Sequence, residues 1–237
     1  VTGATYFCNA GDNIINIYDA KSKKMKEIVL KETAAAGVFP TMLVDMKGGF
    51  PVEKIQVNPG DILFLYTDGI EEAKRMFRDE NLKVIFCNEP GMKEGDWHET
   101  HTVGQDSEEM GKERVQGIIE SVLEKKKFIL KKLHNPIKDE VFEFDFSTCE
   151  GSIEEAILAL VSVEKIFRLY QDKAATDFDH VIVDRQVDAF LNKHFLQYPA
   201  YCLHRAPHPE YKEYLYYTNI RQDEQYDDLT ILAIKKK

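Results

Sequence analysis

Over the first third of the chain, apolar and β-branched residues fall in short clusters separated by turn chemistry, a pattern that predicts strands. Ala4–Cys8 is aromatic and β-branched, Asn9-Ala10-Gly11-Asp12-Asn13 supplies a turn, and residues 14–18 resume the strand. Residues 19–24 form a polar hairpin loop, and residues 27–30 make the returning strand. A small-residue loop, 34–40, leads to a further expected strand around Met42-Leu43-Val44. Residues 52–57 alternate apolar and polar, as a half-buried strand does. Asn58-Pro59-Gly60-Asp61 then makes a turn, because proline fixes φ and glycine admits positive φ. Ile62–Tyr66 is continuously apolar, the pattern of a strand buried on both faces, and it stops abruptly at Thr67-Asp68-Gly69.

From about Ala73 to Tyr226 the pattern changes. Residues 91–110 are polar and without periodicity. Across residues 113–133, apolar positions at Val115, Ile118, Ile119, Val122, Phe128, Ile129 and Leu133 predict one helix with a lysine-rich face. Ser152-Ile153-Glu154-Glu155 reads as a capping box opening a helix that runs to about Tyr170. A third helix is expected over residues 181–195, and residues 200–217, rich in aromatics, histidine and proline, hold an irregular strand. The chain closes with an apolar strand at 229–234, entered directly from Asp227-Asp228.

A length of 237 residues suits one large domain, or one domain with a long insertion. Hydrophobic residues make up 43%, enough for a sizeable core. The formal net charge of -10, from 41 acidic against 31 basic residues, argues against wrapping nucleic acid, which needs a basic face. Cys8, Cys87, Cys149 and Cys202 form no CxxC pair, so idle thiols in a reducing compartment are expected. No apolar run approaches the ~20 residues of a membrane helix. The first residue is Val1, which points to a piece of a longer protein.

Two acidic positions share one design. Asp68 follows a buried strand at its C-terminal end, and Asp227-Asp228 precede another at its N-terminal end. If those strands are antiparallel neighbours, the carboxylates converge. Clustered, partly buried carboxylates need a compensating cation, and oxygen-only ligands select Mg²⁺ or Mn²⁺ over zinc. Gly69 lets the backbone turn where a side chain would crowd bound water. Such a site can make a hydroxide nucleophile from bound water and clamp phosphate oxygens between two ions ~3.5–4 Å apart. Taken singly, each motif is equally ordinary turn or loop chemistry, and the residues alone leave both readings open.

The ordered set Tyr6-Phe7-Cys8-Asn9-Ala10-Gly11-Asp12-Asn13, Pro59-Gly60-Asp61-Ile62-Leu63-Phe64-Leu65-Tyr66-Thr67-Asp68-Gly69-Ile70-Glu71-Glu72-Ala73, Gly111-Lys112-Glu113-Arg114-Val115 and Asp227-Asp228-Leu229-Thr230 resembles the C-terminal part of the SpoIIE/RsbU group. These are metal-dependent serine/threonine phosphatases of the PPM class. One departure is Asp12, where the family usually has histidine. The resemblance implies an α+β fold, an αββα sandwich of the PPM type truncated at its N-terminal strands and carrying a mostly helical insertion. Residues 1–82 are then the first part of the domain, 83–217 the insertion and 218–237 the closing segment. By the same resemblance Asp68 and Asp227 match the catalytic, metal-bound aspartates. Gly69 matches the glycine beside the metal, and Asp228 a weaker neighbour of the metal set. Asn9, Gly11 and Asp12 shape a strand-turn, and residues 37–40 resemble a segment near the family's regulatory switch. The implied cofactor is Mn²⁺ or Mg²⁺, two ions in the full-length protein. The implied activity is dephosphorylation of phosphoserine or phosphothreonine on an anti-anti-sigma-like partner in bacterial signalling. An upstream sensor domain in the same polypeptide and a cytoplasmic location, with a membrane tether through that sensor as an option, follow from the same likeness. The family's other metal aspartate, in a Gly-Asp motif on an early strand, lies before Val1. Sheets without their opening strands expose edges that invite self-association. The competing expectation is an inactive docking module with a vestigial metal site.

Other candidate ligands are weaker. Trp97-His98-Glu99-Thr100-His101 offers two histidines and a carboxylate, but in a polar stretch without helical periodicity. His204 and His208 alternate with prolines and fit packing or surface positions better than ligation. No P-loop pattern is present, which removes the essential part of a nucleotide-hydrolysing reading.

Overall fold

The computed structural model describes residues 4–9, 14–33, 36–46, 48–85, 106–132, 140–175, 181–201, 204–225 and 227–237. In chain order the first elements are β1 (Ala4–Cys8), β2 (Ile14–Asp19), β3 (Lys24–Val29), α1 (Thr41–Met46), β4 (Val52–Gln56), β5 (Ile62–Tyr66), β6 (Lys74–Met76) and β7 (Ser107–Glu109). Next come α2 (Lys112–Leu123), β8 (Lys127–Lys132), β9 (Glu140–Asp145), α3 (Ile153–Arg168), β10 (Leu169–Gln171), β11 (Ile182–Asp184) and α4 (Arg185–His194). The last are α5 (Tyr198–Tyr201), β12 (His204–Pro207), β13 (Tyr214–Thr218), β14 (Ile220–Gln222) and β15 (Ile231–Lys235). Among the described residues every strand pairing is antiparallel, and the fold is α+β. Among the described residues no helix is long and apolar enough to cross a membrane.

The chain divides into two compact units, Val1–Tyr66 with Ile231–Lys237, and Thr67–Thr230. The first is built on a four-stranded sheet in the order β15-β5-β2-β3, with β1 and β4 as a separate pair. Ile15, Ile17, Leu30, Ile55 and Leu63 form its apolar cluster, with Phe7, Ile28 and Leu65 packed against it, so both sheets contribute to one core. The turn before β5 is as the sequence predicts. Gly60 has φ of 90°, Asp61 N donates to Asn58 O at 3.0 Å, and the Asp61 carboxylate accepts from Asn58 N and Ala20 N. The strand expected around residues 42–44 is instead helix α1. Pro40, whose fixed φ suits a helix entry, accepts from Leu43 N (2.9 Å) and Val44 N (3.3 Å) through its carbonyl.

In the second unit, α3 opens with the expected capping box, Ser152 and Glu155 exchanging side-chain and backbone bonds. Its apolar face buries Ala156, Ala159, Leu160, Val163, Ile166 and Phe167, and it packs against α2 and α4. The single helix expected over 113–133 ends at Leu123. Lys125 takes a left-handed conformation (φ 56°), the chain reverses, and Phe128, Leu130 and Lys132 alternate inward along β8. The helix expected over 181–195 is shorter, because residues 182–184 pair with β13 and Asp184 caps α4 by accepting from Gln186 N. Strands β7 to β13 run among the helices here, so the stretch expected to be mostly helical is mixed.

Candidate metal centre

The β5–β15 ladder sets the register around the candidate residues. Within the first unit β15 lies antiparallel to β5, with Ile231 opposite Tyr66. Asp68, Gly69, Asp227 and Asp228 all belong to the second unit, whose described residues begin at Thr67 and end at Thr230.

There the two chain segments are bonded directly. Thr67 N donates to Thr230 O at 3.0 Å, and Thr230 N donates back to Thr67 Oγ1 at 3.0 Å. The Thr67 hydroxyl in turn donates to Asp228 O at 2.6 Å. Asp68–Ile70 forms a single 3₁₀ turn, anchored by fully buried Ile70 and by Glu72 N donating to Asp68 O at 2.9 Å. Gly69 is buried, and a Cβ built on it would lie 2.6 Å from Asp228 O and 3.3 Å from Asp227 O. Only glycine admits that approach, for reasons of space and not of φ. Asp228 N donates to the Asp227 carboxylate at 2.8 Å, which orients it.

The approach to Asp227 is held from the helix side. Arg168, at the C-terminal end of α3, donates to Asp223 O (2.7 Å) and Gln225 Oε1 (3.1 Å), and pairs with Glu164 one turn back. Arg78 grips the Asp223 carboxylate through two nitrogens. Asp227 and Asp228 line a surface depression with Gln225 and Leu229.

Asp68, Asp227 and Asp228 are all exposed, which corrects the expectation of partly buried carboxylates. Desolvation therefore gives no reason for a cation here, and what the structure brings together is the backbone of the two loops, with the Asp228 and Asp227 carbonyl oxygens against Gly69. Their chemistry suits a hard cation such as Mg²⁺ or Mn²⁺. Among the described residues, however, no three His, Cys, Asp or Glu side chains are grouped to hold an ion. The described residues thus do not make up a complete coordination shell by themselves.

The remaining candidates resolve differently. Asn9 is buried and donates to Lys31 O at 2.8 Å, a strand-turn role, while Gly11 and Asp12 lie outside the described residues. Trp97 to His101 also lies outside them, as do Cys87, Cys202 and the His204 side chain. His208 accepts from Glu210 N and Tyr211 N and packs on Tyr216, a turn and packing role. Cys149 Sγ sits 3.7 Å from His194 Nε2, but burial pushes its thiol up to about 11 and lowers the histidine, so no thiolate nucleophile forms. Sequence reasoning did not single out Thr67 and Thr230. Both stand inside the Thr-Asp-Gly and Asp-Asp-x-Thr motifs, one residue from Asp68 and three from Asp227, and a β-branched hydroxyl at a strand end was the available signal.

A family model described as Stage II sporulation protein E (SpoIIE) matches residues 1–122. No curated protein and no solved structure matches the chain.

Proposed function

The chain belongs to the SpoIIE family, the PPM phosphatase-type domain of the SpoIIE/RsbU group, and from that premise we propose that it is a metal-dependent serine/threonine protein phosphatase domain. The family is generally a serine/threonine phosphatase and depends on Mn²⁺ or Mg²⁺. The observation that carries the reading to these residues is the seating of Asp228 O against Gly69, with Thr67 bonded to Asp228 and Thr230.

Asp68 and Asp227 would hold the cation, with Asp228 beside them and Gly69 admitting the close seat of the Asp228 carbonyl. When bound there, the cation would supply an activated water and offset charge on the phosphoryl oxygens. The protein's own part is positional: the Thr67 hydroxyl ties the two loops, and the Asp228 N–H orients the Asp227 carboxylate. Exposure of all three carboxylates suits a substrate presented on another protein's surface, since a phosphorylated side chain must reach the centre from solvent.

The finer reading is a phosphoserine or phosphothreonine on an anti-anti-sigma-like partner in bacterial signalling. The domain would be a PPM sandwich in which residues 83–217 are an insertion. An upstream sensor, a tether to the membrane and self-association through sheet edges complete the reading. The test is Mn²⁺-dependent phosphate release from a phosphorylated partner protein. Asp68→Ala is expected to lower the rate at least 100-fold, the size of effect seen when one electrostatic contact to a transition state is lost. An unchanged rate would remove Asp68 from the chemistry, and no metal-dependent release by the unsubstituted protein would favour a docking module.

A further inference from the structure

The second unit contains a cavity of about 290 Å³, walled by β6, β10, the turn after β6 and the ends of β8 and β9. That is the small end of the range for ligand sites. Two buried cations stand in its wall, Arg75 at 5% and Lys132 at 1% exposure. Arg75 spends its Nε on Glu108, whose other oxygen is taken by Arg114 at 2.9 Å. Its Nη2 is buried and makes no hydrogen bond. Lys132 donates to Leu169 O at 2.7 Å, keeps Glu140 at 3.6 Å and lies over the Phe142 ring at 4.9 Å. A third cation, Arg78, is closed off by Asp223 and lies over the Tyr170 ring.

A buried guanidinium N–H left without a hydrogen bond is costly in a protein interior. Burial, with the Arg75 charge adding to it against the pull of Glu140, holds the Lys132 amine down to about 8. An anionic oxygen placed between Arg75 and Lys132 would relieve each of these. The carboxylates then select the kind of anion. Glu140 and Asp223 are engaged by Lys132 and Arg78, and Asp79 is spent on the amides of Asn81 and Lys83. Glu80 lines the cavity but is exposed, which puts a carboxylate at its mouth. A dianion entering past Glu80 meets repulsion; a molecule with its carboxylate leading and an ammonium behind matches both ends. Met76, Leu82 and Leu169 leave apolar wall for a short side chain.

We propose that this cavity binds a small zwitterionic acid of the amino-acid class, its carboxylate between Arg75 and Lys132 and its ammonium toward Glu80. The site is separate from the aspartates of the candidate metal centre and does not rest on the proposed hydrolysis. The test is calorimetry and thermal denaturation of the 237-residue chain with each common amino acid, with inorganic phosphate and succinate as plain-anion arms. At least one amino acid is expected to bind saturably and raise the melting temperature. Arg75→Lys, which keeps the charge but loses the terminal nitrogens, should weaken binding about tenfold or more. Glu80→Gln, at an exposed position that leaves the fold intact, should weaken it severalfold while sparing phosphate. Three results would each overturn the proposal: phosphate or succinate binding more tightly than every amino acid, amino-acid binding unchanged in both variants, or no saturable binding by any of them.

Discussion

The two units are stabilised in different ways. The first is a sheet with a small aliphatic cluster, and it leaves many large apolar residues in solvent, among them Tyr6, Val29, Met42, Met46 and Val52 at more than 60% exposure. Its ion pair Lys26–Asp19 is at the surface. The second unit buries whole faces of α2 and α3 and packs aromatic rings together, Phe144 stacked on Phe195 at 4.9 Å and Phe142 edge-to-face with Tyr201 at 5.1 Å. It also takes ion pairs inside, Arg75–Glu108 and Arg168–Glu164. The family model covers all of the first stretch, residues 1–66, but stops within the second unit at residue 122. The part with the more familiar sequence therefore has the thinner core, and the part with the fuller core is the one whose role rests on its own residues.

The contrast can be broken most directly by truncating one apolar side chain in each unit. Leu160→Ala, at a fully buried position of α3, should lower stability by about 2–5 kcal/mol in urea denaturation. Leu232→Ala, half exposed on β15, should cost less than about 1 kcal/mol. Equal losses would show that the burial difference carries no energetic weight.

A pH series sharpens the same contrast through the buried charges. Lys132 is held at about 8 in the folded chain against 10.5 in the open. Below pH 8 both states carry the proton and the burial penalty is fully present. Between about 8 and 10.5 the folded chain releases a proton that the unfolded chain keeps, so stability rises with pH, by on the order of 1 kcal/mol per pH unit from this group. Chemical denaturation at pH 8 and 9.5 should show the rise, and Lys132→Met should reduce it, leaving the share of Lys165, whose amine burial likewise holds down to about 8.

The tie between the loops supplies a smaller effect than the core truncation. Thr67→Val removes the hydroxyl that donates to Asp228 O and accepts from Thr230 N, and should cost about 1 kcal/mol. Thr67→Ser should recover both the stability and any Mn²⁺-dependent activity that the valine variant loses; a valine variant equal to the unsubstituted protein would remove the hydroxyl from the account.

Much of the first unit could be read from the chain. Alternation at residues 52–57, the unbroken run Ile62–Tyr66 and the turn at Asn58 to Asp61 each carry a local signal, and each forms as read. Met42 to Val44 does not, because a three-residue apolar run cannot distinguish strand from helix and Pro40 decides it. In the second unit, Lys125 adopts a positive φ with no glycine to announce it, which hides the end of α2. The buried ion pairs were equally hidden, since Arg75 and Glu108 are far apart in sequence and meet only through the β6–β7 pairing. At the candidate centre the two Asp motifs were legible one at a time. Their exposure was not, because it depends on packing around the loops and not on the motif.

The central claim is that Asp68 and Asp227 act on one cation. The most direct measurement is Mn²⁺ titration by calorimetry of the unsubstituted protein, Asp68→Asn, Asp227→Asn and the double variant. Each single substitution is expected to weaken binding by about tenfold or more, and the double variant to be little worse than either, as for ligands sharing one ion. Binding unchanged in the single variants, or losses that simply add as for two independent sites, would contradict the account.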